Sequence, residues 1–297
     1  MSIGLPLDGA NVLSLPPSIV VYGAPGGGKS TEVARALQGV LYVQSSPTIL
    51  RAYADWLQKN PQFGLKMPDR VTLDEATVAK NFGGSVTTAL ITVMEKYIAA
   101  CDAGTCPYTG IVFDEWNVLC ERMFAELKTD PWGKFKGRSG QLNIFAVFDA
   151  FKGIHRSVLS IARRTRRAVA FVAHYQSPKV DDDENSPTRG SIKWPGGPKM
   201  PMGLSDQVVE LCADADVVLQ LVIKDEKGAP MLLPLPGDAA ATPAAPPPPH
   251  APRVFLTQLD PKWFRKVRGW GVEKEEPLDI HAGKGLKELL TRAGYQL

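Results

Sequence analysis

This 297-residue sequence has few cysteines, no large excess of either charge and no long apolar runs. Of its four cysteines, Cys101 and Cys106 lie close together, but no second pair or nearby histidine accompanies them, which argues against a zinc site and favours reduced thiols. The 34 basic and 31 acidic residues give a formal net charge of +3, too small to indicate nucleic-acid binding by itself. We see no signal peptide and no run long enough to span a bilayer, and therefore expect a cytoplasmic protein without a membrane partner.

The sequence alternates short, β-branched apolar runs with segments of helical periodicity. Strands are predicted at 18–22, 40–43, 71–73, 111–113, 168–173 and 216–223. Helices are predicted at 30–37, 48–59, 85–100 and 142–164. Strands that alternate with helices predict an α/β fold with a mainly parallel sheet flanked by helices.

Two proline-containing segments interrupt this alternation. Residues 176–203 contain five prolines and the acidic run 181–184, and we predict a long mobile loop there. Residues 231–252 hold eight prolines and six alanines among 22 residues, a composition that cannot build a core. An interdomain linker is one interpretation of this segment. We prefer an insertion at the tip of a C-terminal β-hairpin, because strand patterns lie on both sides at 217–224 and 253–258.

The hairpin interpretation defines the expected domain organisation. Residues 1–17 form an N-terminal arm, and residues 18–270 form one domain that includes the proline- and alanine-rich insertion. Residues 271–297 form a C-terminal tail with a short helix. Too little chain is left after the insertion for a second domain.

A glycine-rich motif joins the first predicted strand to the first predicted helix. Residues 23–30 fit the pattern G-x-x-x-x-G-K-S/T in full. Glycines let backbone N–H groups close around a phosphate, and the helix that follows adds its positive end. We predict that ATP is bound by Gly23, Ala24, Pro25, Gly26, Gly27, Gly28, Lys29, Ser30 and Thr31.

The polar residues around this motif have distinct predicted roles. Lys29 would reach the β- and γ-phosphates, and the Ser30 hydroxyl would ligate Mg²⁺. Asp114 follows the apolar strand 111–113 and would hold the same ion. Glu115 is the candidate for orienting or deprotonating the attacking water. Its alternative role is that of an acid favoured at the start of the next helix.

Together with weaker features, these motifs resemble the RecA-like ATPases, specifically the phage-type proteins linked to recombination and single-strand annealing. The resemblance covers roughly residues 18–270. It implies a RecA-like P-loop NTPase core that hydrolyses ATP and binds single-stranded DNA as a homo-oligomer, either ring or filament. For a phage protein, the site of action would be the host cytoplasm.

The resemblance also implies roles for residues outside the phosphate motif. His174 would touch the γ-phosphate, and Lys266 and Arg268 would reach the ATP of the neighbouring subunit. The segments 128–140 and 176–203 would be the first and second DNA-binding loops, since both place cations near aromatic rings. The alternative to these roles is that His174 only ends a strand and that both segments are solvated loops without a binding function. The residues that suggest DNA contact in the first loop are Lys128, Trp132, Lys134, Phe135, Lys136 and Arg138.

The sequence departs from the RecA-like pattern after its second core strand. That strand is followed by Gln44, Ser45 and Ser46, where RecA-like enzymes carry a catalytic glutamate. The departure moves the expected base to Glu115 or lowers the expected rate of hydrolysis. Two other functions therefore stay open: a helicase- or packaging-type motor, and a nucleotide-dependent assembly switch that binds no DNA.

Overall fold

A computed structural model describes most of the chain. It covers residues 16–297 except 131, 138, 182, 185, 195, 202–204, 226, 229, 232–251, 258–264, 268–271, 280–283 and 296. Nearly all of the N-terminal arm and of the proline- and alanine-rich insertion therefore lies outside the described residues, as does Arg268.

Thirteen strands are present in the described residues. They are β1 (Ser18–Gly23), β2 (Leu41–Gln44), β3 (Asp69–Thr72), β4 (Gly110–Asp114), β5 (Ala168–Gln176), β6 (Lys179–Val180), β7 (Ile192–Trp194), β8 (Gly197–Pro198), β9 (Val217–Lys224), β10 (Pro230–Met231), β11 (Arg253–Leu256), β12 (Lys266–Val267) and β13 (Glu275–Pro277). The main sheet has the order β13-β11-β9-β1-β5-β4-β2-β3. The strands from β9 to β3 in this order are all parallel, whereas β10, β11 and β12 pair with β9 in the antiparallel direction.

Helices cover both faces of the sheet. They are α1 (Lys29–Ala36), α2 (Arg51–Lys59), α3 (Glu75–Phe82), α4 (Val86–Asp102), α5 (Trp116–Thr129), α6 (Ile144–Thr165), α7 (Ser205–Asp214) and α8 (Leu286–Arg292). Helices α3 to α7 contribute to one buried apolar cluster, and α1, α2 and α8 contribute to the other. No helix of the described part of the chain combines the length and the hydropathy that a bilayer span requires.

Burial on both faces explains why the central strands are so uniformly apolar. In β1, Val20 and Tyr22 belong to one cluster, and Ile19 and Val21 belong to the other. The predicted fold class is thereby confirmed: an α/β protein with a mainly parallel sheet flanked by helices. The C-terminal hairpin is confirmed as well, because Arg253 in β11 lies opposite Ile223 in β9 in an antiparallel pair.

The segment 176–203, which was predicted to be a long mobile loop, contains strands that the sequence did not indicate. Strands β6 and β7 form a hairpin there, and β8 pairs with the end of β5. The buried carboxylate of Asp181 explains the order, because it accepts hydrogen bonds from the hydroxyls of Ser186 at 2.6 Å and Thr188 at 2.7 Å. The first acid of the run thus closes a turn, a local use of aspartate that competes with a solvated loop.

The C-terminal helix α8 packs against α1, the helix that begins at the glycine-rich motif. Its residues Leu286 and Leu290 are fully buried. The Arg35 guanidinium of α1 lies 2.8 Å from a Glu288 carboxylate oxygen and 3.2 Å from a Glu32 carboxylate oxygen. The chain after β13 therefore supports the back of the glycine-rich motif.

Candidate nucleotide-binding site

The glycine-rich motif is an open loop between β1 and α1. Gly26 and Gly28 have φ values of 70° and 93°, in the left-handed region that favours glycine. The Gly27 N–H donates to the Ala24 carbonyl at 3.2 Å, which closes the turn. The loop therefore needs glycine at its bends and leads directly into the amino end of a helix, where an anion is stabilised.

The two polar side chains of the motif turn into the protein. The Lys29 ammonium donates to the Ala24 carbonyl at 2.7 Å, across the mouth of the loop. Burial lowers the pKa of Lys29 to about 8, against the opposing effect of the nearby Asp114 and Glu115 carboxylates. The Ser30 hydroxyl donates to Asp114 Oδ1 at 2.9 Å. The loop is thus joined to the end of β4 by a serine–aspartate contact.

Asp114 is fully buried and half satisfied. Its Oδ1 accepts the Ser30 hydrogen bond, whereas its Oδ2 has no hydrogen-bond partner among the described residues. Burial raises the pKa of Asp114 to about 7, although the Ser30 hydrogen bond and the Lys29 charge oppose the rise. A buried carboxylate oxygen without a partner requires a cation or a donor. With the Ser30 hydroxyl beside it, this oxygen fits the oxygen ligands that Mg²⁺ prefers.

Glu115 occupies a strained backbone position next to Asp114. Its φ is 56°, in the left-handed region, a conformation that costs a non-glycine residue roughly 1–3 kcal/mol and is enriched at functional sites. There its N–H donates to Asp114 Oδ1 at 2.9 Å. Its carboxylate accepts a hydrogen bond from the Ser45 hydroxyl. Ser45 follows β2 and had no predicted role, although it lies in the segment where the acid is missing.

Gln44 stands where RecA-like enzymes were expected to carry the glutamate. It lies opposite Asp114 in the β2–β4 pair and is fully buried. Its side-chain N–H donates to the Thr72 hydroxyl at 2.9 Å, and its Oε1 has no partner among the described residues. A neutral amide therefore occupies the sheet edge between β3 and β4, and the acids that line the pocket are Asp114 and Glu115.

His174 lies opposite Gly23 in the β1–β5 pair, at the same edge of the sheet. Its backbone N–H donates to Asn117 Oδ1 at 2.9 Å, which joins β5 to α5. Burial lowers the pKa of His174 to about 4, and the positive charges of Lys29 and Lys199 lower it further. The imidazole is therefore neutral at pH 7. Lys29, Ser30, Asp114, Glu115 and His174 together line one pocket of about 280 Å³.

Lys266 does not lie at this pocket in its own chain. It is opposite Val218, near the beginning of β9, whereas Leu221 is the β9 residue level with Gly23. Its ammonium donates to the carbonyl of Ala213 at 2.8 Å, and Ala213 lies shortly before the amino end of β9. Any contact with ATP would thus have to be made with another copy of the chain.

The segment 128–140 is a folded loop with an exposed basic surface. Asp130 Oδ1 accepts the backbone N–H groups of Lys134 at 2.7 Å and Phe135 at 3.0 Å, which fixes the turn. Phe135 packs against the core, so the aromatic ring left exposed in the loop is Trp132, at 40%. The side chains of Lys134 and Lys136, in the same loop, are exposed as well.

Phe145 adds an apolar side chain that the sequence did not single out. It lies in the first turn of α6 and is 75% exposed. Leu142, which pairs with Lys136 across an isolated β-bridge, is exposed as well. Helical periodicity predicts a helix here but not which of its apolar residues stays uncovered.

Residues 15–268 match the family described as AAA domain. The chain belongs to the AAA domain family. The matched range includes the glycine-rich loop, Asp114 and His174. Proteins with such a P-loop generally bind ATP with Mg²⁺.

Two solved structures resemble the AAA domain at low similarity. A KaiC-like protein from the hyperthermophilic archaeon Pyrococcus horikoshii is 11% identical, with a TM-score of 0.39, over 90% of this chain and 86% of that chain. The RadB recombinase is 15% identical, with a TM-score of 0.39, over 82% of this chain and 81% of that chain. No curated protein matches the sequence.

Proposed function

We propose that the AAA domain binds ATP with Mg²⁺ and hydrolyses it. The observation that supports this most is the Oδ2 atom of buried Asp114, which has no hydrogen-bond partner among the described residues. Asp114 lies beside the Ser30 hydroxyl of the glycine-rich motif at 23–30, from here on called the P-loop. In this proposal Lys29 exchanges its contact with the Ala24 carbonyl for the β- and γ-phosphates. Bound Mg²⁺ would supply positive charge that offsets the charge on the phosphates.

Hydrolysis is assigned to Glu115. Its carboxylate lies next to the predicted metal ligand and is oriented by the Ser45 hydroxyl. A carboxylate held in this way can accept a proton from a water molecule or orient it. His174, neutral at pH 7 because burial lowers its pKa to about 4, can donate one hydrogen bond to the γ-phosphate.

The proposed biological role is recombination or annealing on single-stranded DNA by an oligomer of the phage type. DNA contact is supported by the exposed side chains of Trp132, Lys134 and Lys136 in the segment 128–140 and of Phe145 in the first turn of α6, because cations and uncovered rings suit a flexible strand. An oligomer is needed if Lys266 and Arg268 act at ATP, since Lys266 lies near the amino end of β9 and the pocket of its own chain lies at the carboxyl ends of the strands.

The test measures ATP hydrolysis with and without single-stranded DNA, and oligonucleotide binding at several salt concentrations. The parental protein is expected to bind the oligonucleotide and to hydrolyse ATP. In the Lys134→Ala/Lys136→Ala variant, basal hydrolysis should persist and DNA affinity should fall for every sequence alike. The log–log salt slope should also shrink by roughly 0.7 for each phosphate that the variant no longer neutralises. Equal affinity and slope in both proteins would remove this surface from the DNA site.

A second function, a nucleotide-dependent assembly switch, is favoured by one observation. The last residue of β2 is the neutral Gln44 and not an acid. The lack of an acid there is expected of a protein that binds ATP and scarcely hydrolyses it. The same measurements decide between the two functions. ATP-dependent change in oligomer size, with negligible hydrolysis and no DNA binding, would support the switch.

A further inference from the structure

Arg253 lies at the P-loop although its position in the sequence gives no sign of it. It is the first residue of β11, opposite Ile223 in β9. In the neighbouring pair, Leu221 of β9 is level with Gly23 of β1. Arg253 therefore starts its strand two residues beyond the level of Gly23, at the edge of the sheet where the P-loop opens.

The guanidinium approaches the P-loop closely. A β-carbon at Gly28 would lie 4.0 Å from Arg253 Nε, the first heavy atom it would meet. This Nε is buried and has no hydrogen-bond partner among the described residues. Arg253 as a whole is half-buried, but a buried N–H of a charged group that lacks an acceptor is costly, and a phosphate oxygen is the kind of acceptor that removes the cost.

The direction of approach indicates which part of a nucleotide it meets. Asp114 and His174 come from β4 and β5, on one side of β1, and mark the γ-phosphate end of the pocket. Arg253 comes from β11, beyond β9 on the other side of β1. A nucleotide seated between them would present its α- and β-phosphates, rather than its γ-phosphate, toward Arg253.

We propose that Arg253 is a nucleotide-binding residue that contacts the α- or β-phosphate in its own chain. The inference rests on the proposed ATP binding and adds a contact that none of the predicted site residues supplies. Because ATP and ADP share these two phosphates, Arg253 contributes equally to the binding of both. This separates it from Glu115 and His174, whose proposed contacts concern the γ-phosphate or the water that attacks it.

Isothermal titration of Mg²⁺-ATP and Mg²⁺-ADP tests the proposal on the full chain. Arg253→Ala should weaken both nucleotides by the same factor, about tenfold or more, as expected when a charged hydrogen bond is removed. Arg253→Lys should recover part of the affinity by restoring the charge without the planar donor. The matched control is Lys224→Ala, which removes a cation from the same end of the hairpin. That ammonium is held 2.5 Å from Glu275 Oε2, and nucleotide affinity should not change.

The outcomes separate this inference from the proposed function. Failure of the parental protein to bind either nucleotide would contradict both. Parental binding that disappears in Lys29→Ala but is unchanged in Arg253→Ala and Arg253→Lys would overturn only the role of Arg253. A loss of ATP affinity with ADP affinity intact would also overturn it, because the contact would then be to the γ-phosphate. Melting of the nucleotide-free variants establishes that they fold, and the Lys variant carries the test if the Ala variant does not.

Discussion

The P-loop is supported from two sides that are built differently. On one side, β4 and β5 run parallel to β1, and their polar residues Asp114 and His174 stand at or near the strand ends. On the other side, β11 runs antiparallel to β9, and Arg253 begins its strand. Strands that run in opposite directions thus place side chains at the same edge of the sheet.

The two sides also differ in the charge that they present to the P-loop. The β4–β5 side presents carboxylates above a packed aromatic layer, in which Phe113 stacks on Phe171 at a centroid distance of 5.3 Å. The β9–β11 side presents a guanidinium at the sheet edge. A nucleotide between them would place its metal and γ-phosphate toward the acids and its inner phosphates toward the cation. The comparison predicts that substitutions on the two sides affect different steps.

Lys29→Ala removes the group that lies between the two sides and should have the largest effect. Hydrolysis should be abolished and ATP binding weakened, with a penalty of roughly 2–4 kcal/mol, typical of removing a preorganised electrostatic interaction. Steady-state hydrolysis and calorimetric titration measure the two effects. Turnover at the parental rate in this variant would contradict the assignment of the phosphate site.

Glu115→Gln tests whether the acid side serves chemistry rather than binding. ATP affinity should stay near the parental value, and hydrolysis should slow about 10²-fold or more, the usual contribution of a positioned base. Single-turnover kinetics separates the chemical step from binding. Glu95→Gln, on the exposed face of α4, is the matched control and should leave both unchanged. If Glu115→Gln hydrolyses ATP as fast as the parent, Glu115 is only an acid at the start of α5.

The acid side of the site could be predicted from the sequence because its parts are local. The motif at 23–30 specifies its own loop, and Asp114 follows an apolar run that cannot be other than buried. Parallel strands place the residues that follow them at a common edge, so a search for polar residues after strands finds Asp114 and His174. The strand patterns around the proline-rich segment likewise predicted the pairing of β9 with β11.

The other side could not be predicted, because it depends on register and on direction. Arg253 is the first residue of its strand rather than a residue that follows one, and it reaches the P-loop only because β11 pairs with β9 at Ile223. A one-residue shift in that pairing would turn its side chain to the opposite face of the sheet. Similarly, the order within 176–203 depends on Asp181 turning inward, which composition does not reveal. Long-range pairing and side-chain burial, rather than local propensity, decide these features.

His155 tests the core beneath the acid side. The ring is fully buried between Trp116 and Phe151, and burial lowers its pKa to about 4, with Arg156 acting in the same direction and Glu210, Gln207 and Asp214 opposing. As pH falls from about 6.5 toward 4, the unfolded chain therefore binds a proton that the folded protein excludes, and stability is lost.

We expect His155→Phe to remove this loss, since phenylalanine keeps the stacking and carries no proton. The free energy of unfolding, from urea titrations at pH 7 and pH 4.5, should fall by roughly 2–3 kcal/mol less in the variant than in the parent. Equal losses in the two proteins would show that the imidazole is protonated in the folded state and that its burial does not govern acid stability.

The smallest effect is expected from shortening the segment that precedes Arg253. Lys224 N–H donates to the Pro252 carbonyl at 2.8 Å, and Arg253 pairs with Ile223, so the two ends of the segment are already held together by the hairpin. Deleting residues 236–251 and closing the gap with a short turn should preserve the fold, ATP hydrolysis and nucleotide affinity. Loop closure changes by only about 1 kcal/mol or less when a loop is shortened severalfold, which corresponds to a melting shift of a few degrees, about 2–4 °C. A variant with 236–251 replaced by a glycine–serine segment of equal length separates length from composition. Loss of folding in both variants would mean that the segment packs on the domain. Loss of ATP and ADP affinity in the deletion alone, with the fold intact, would mean that the length of the segment sets the position of Arg253 and that the hairpin does not hold it unaided.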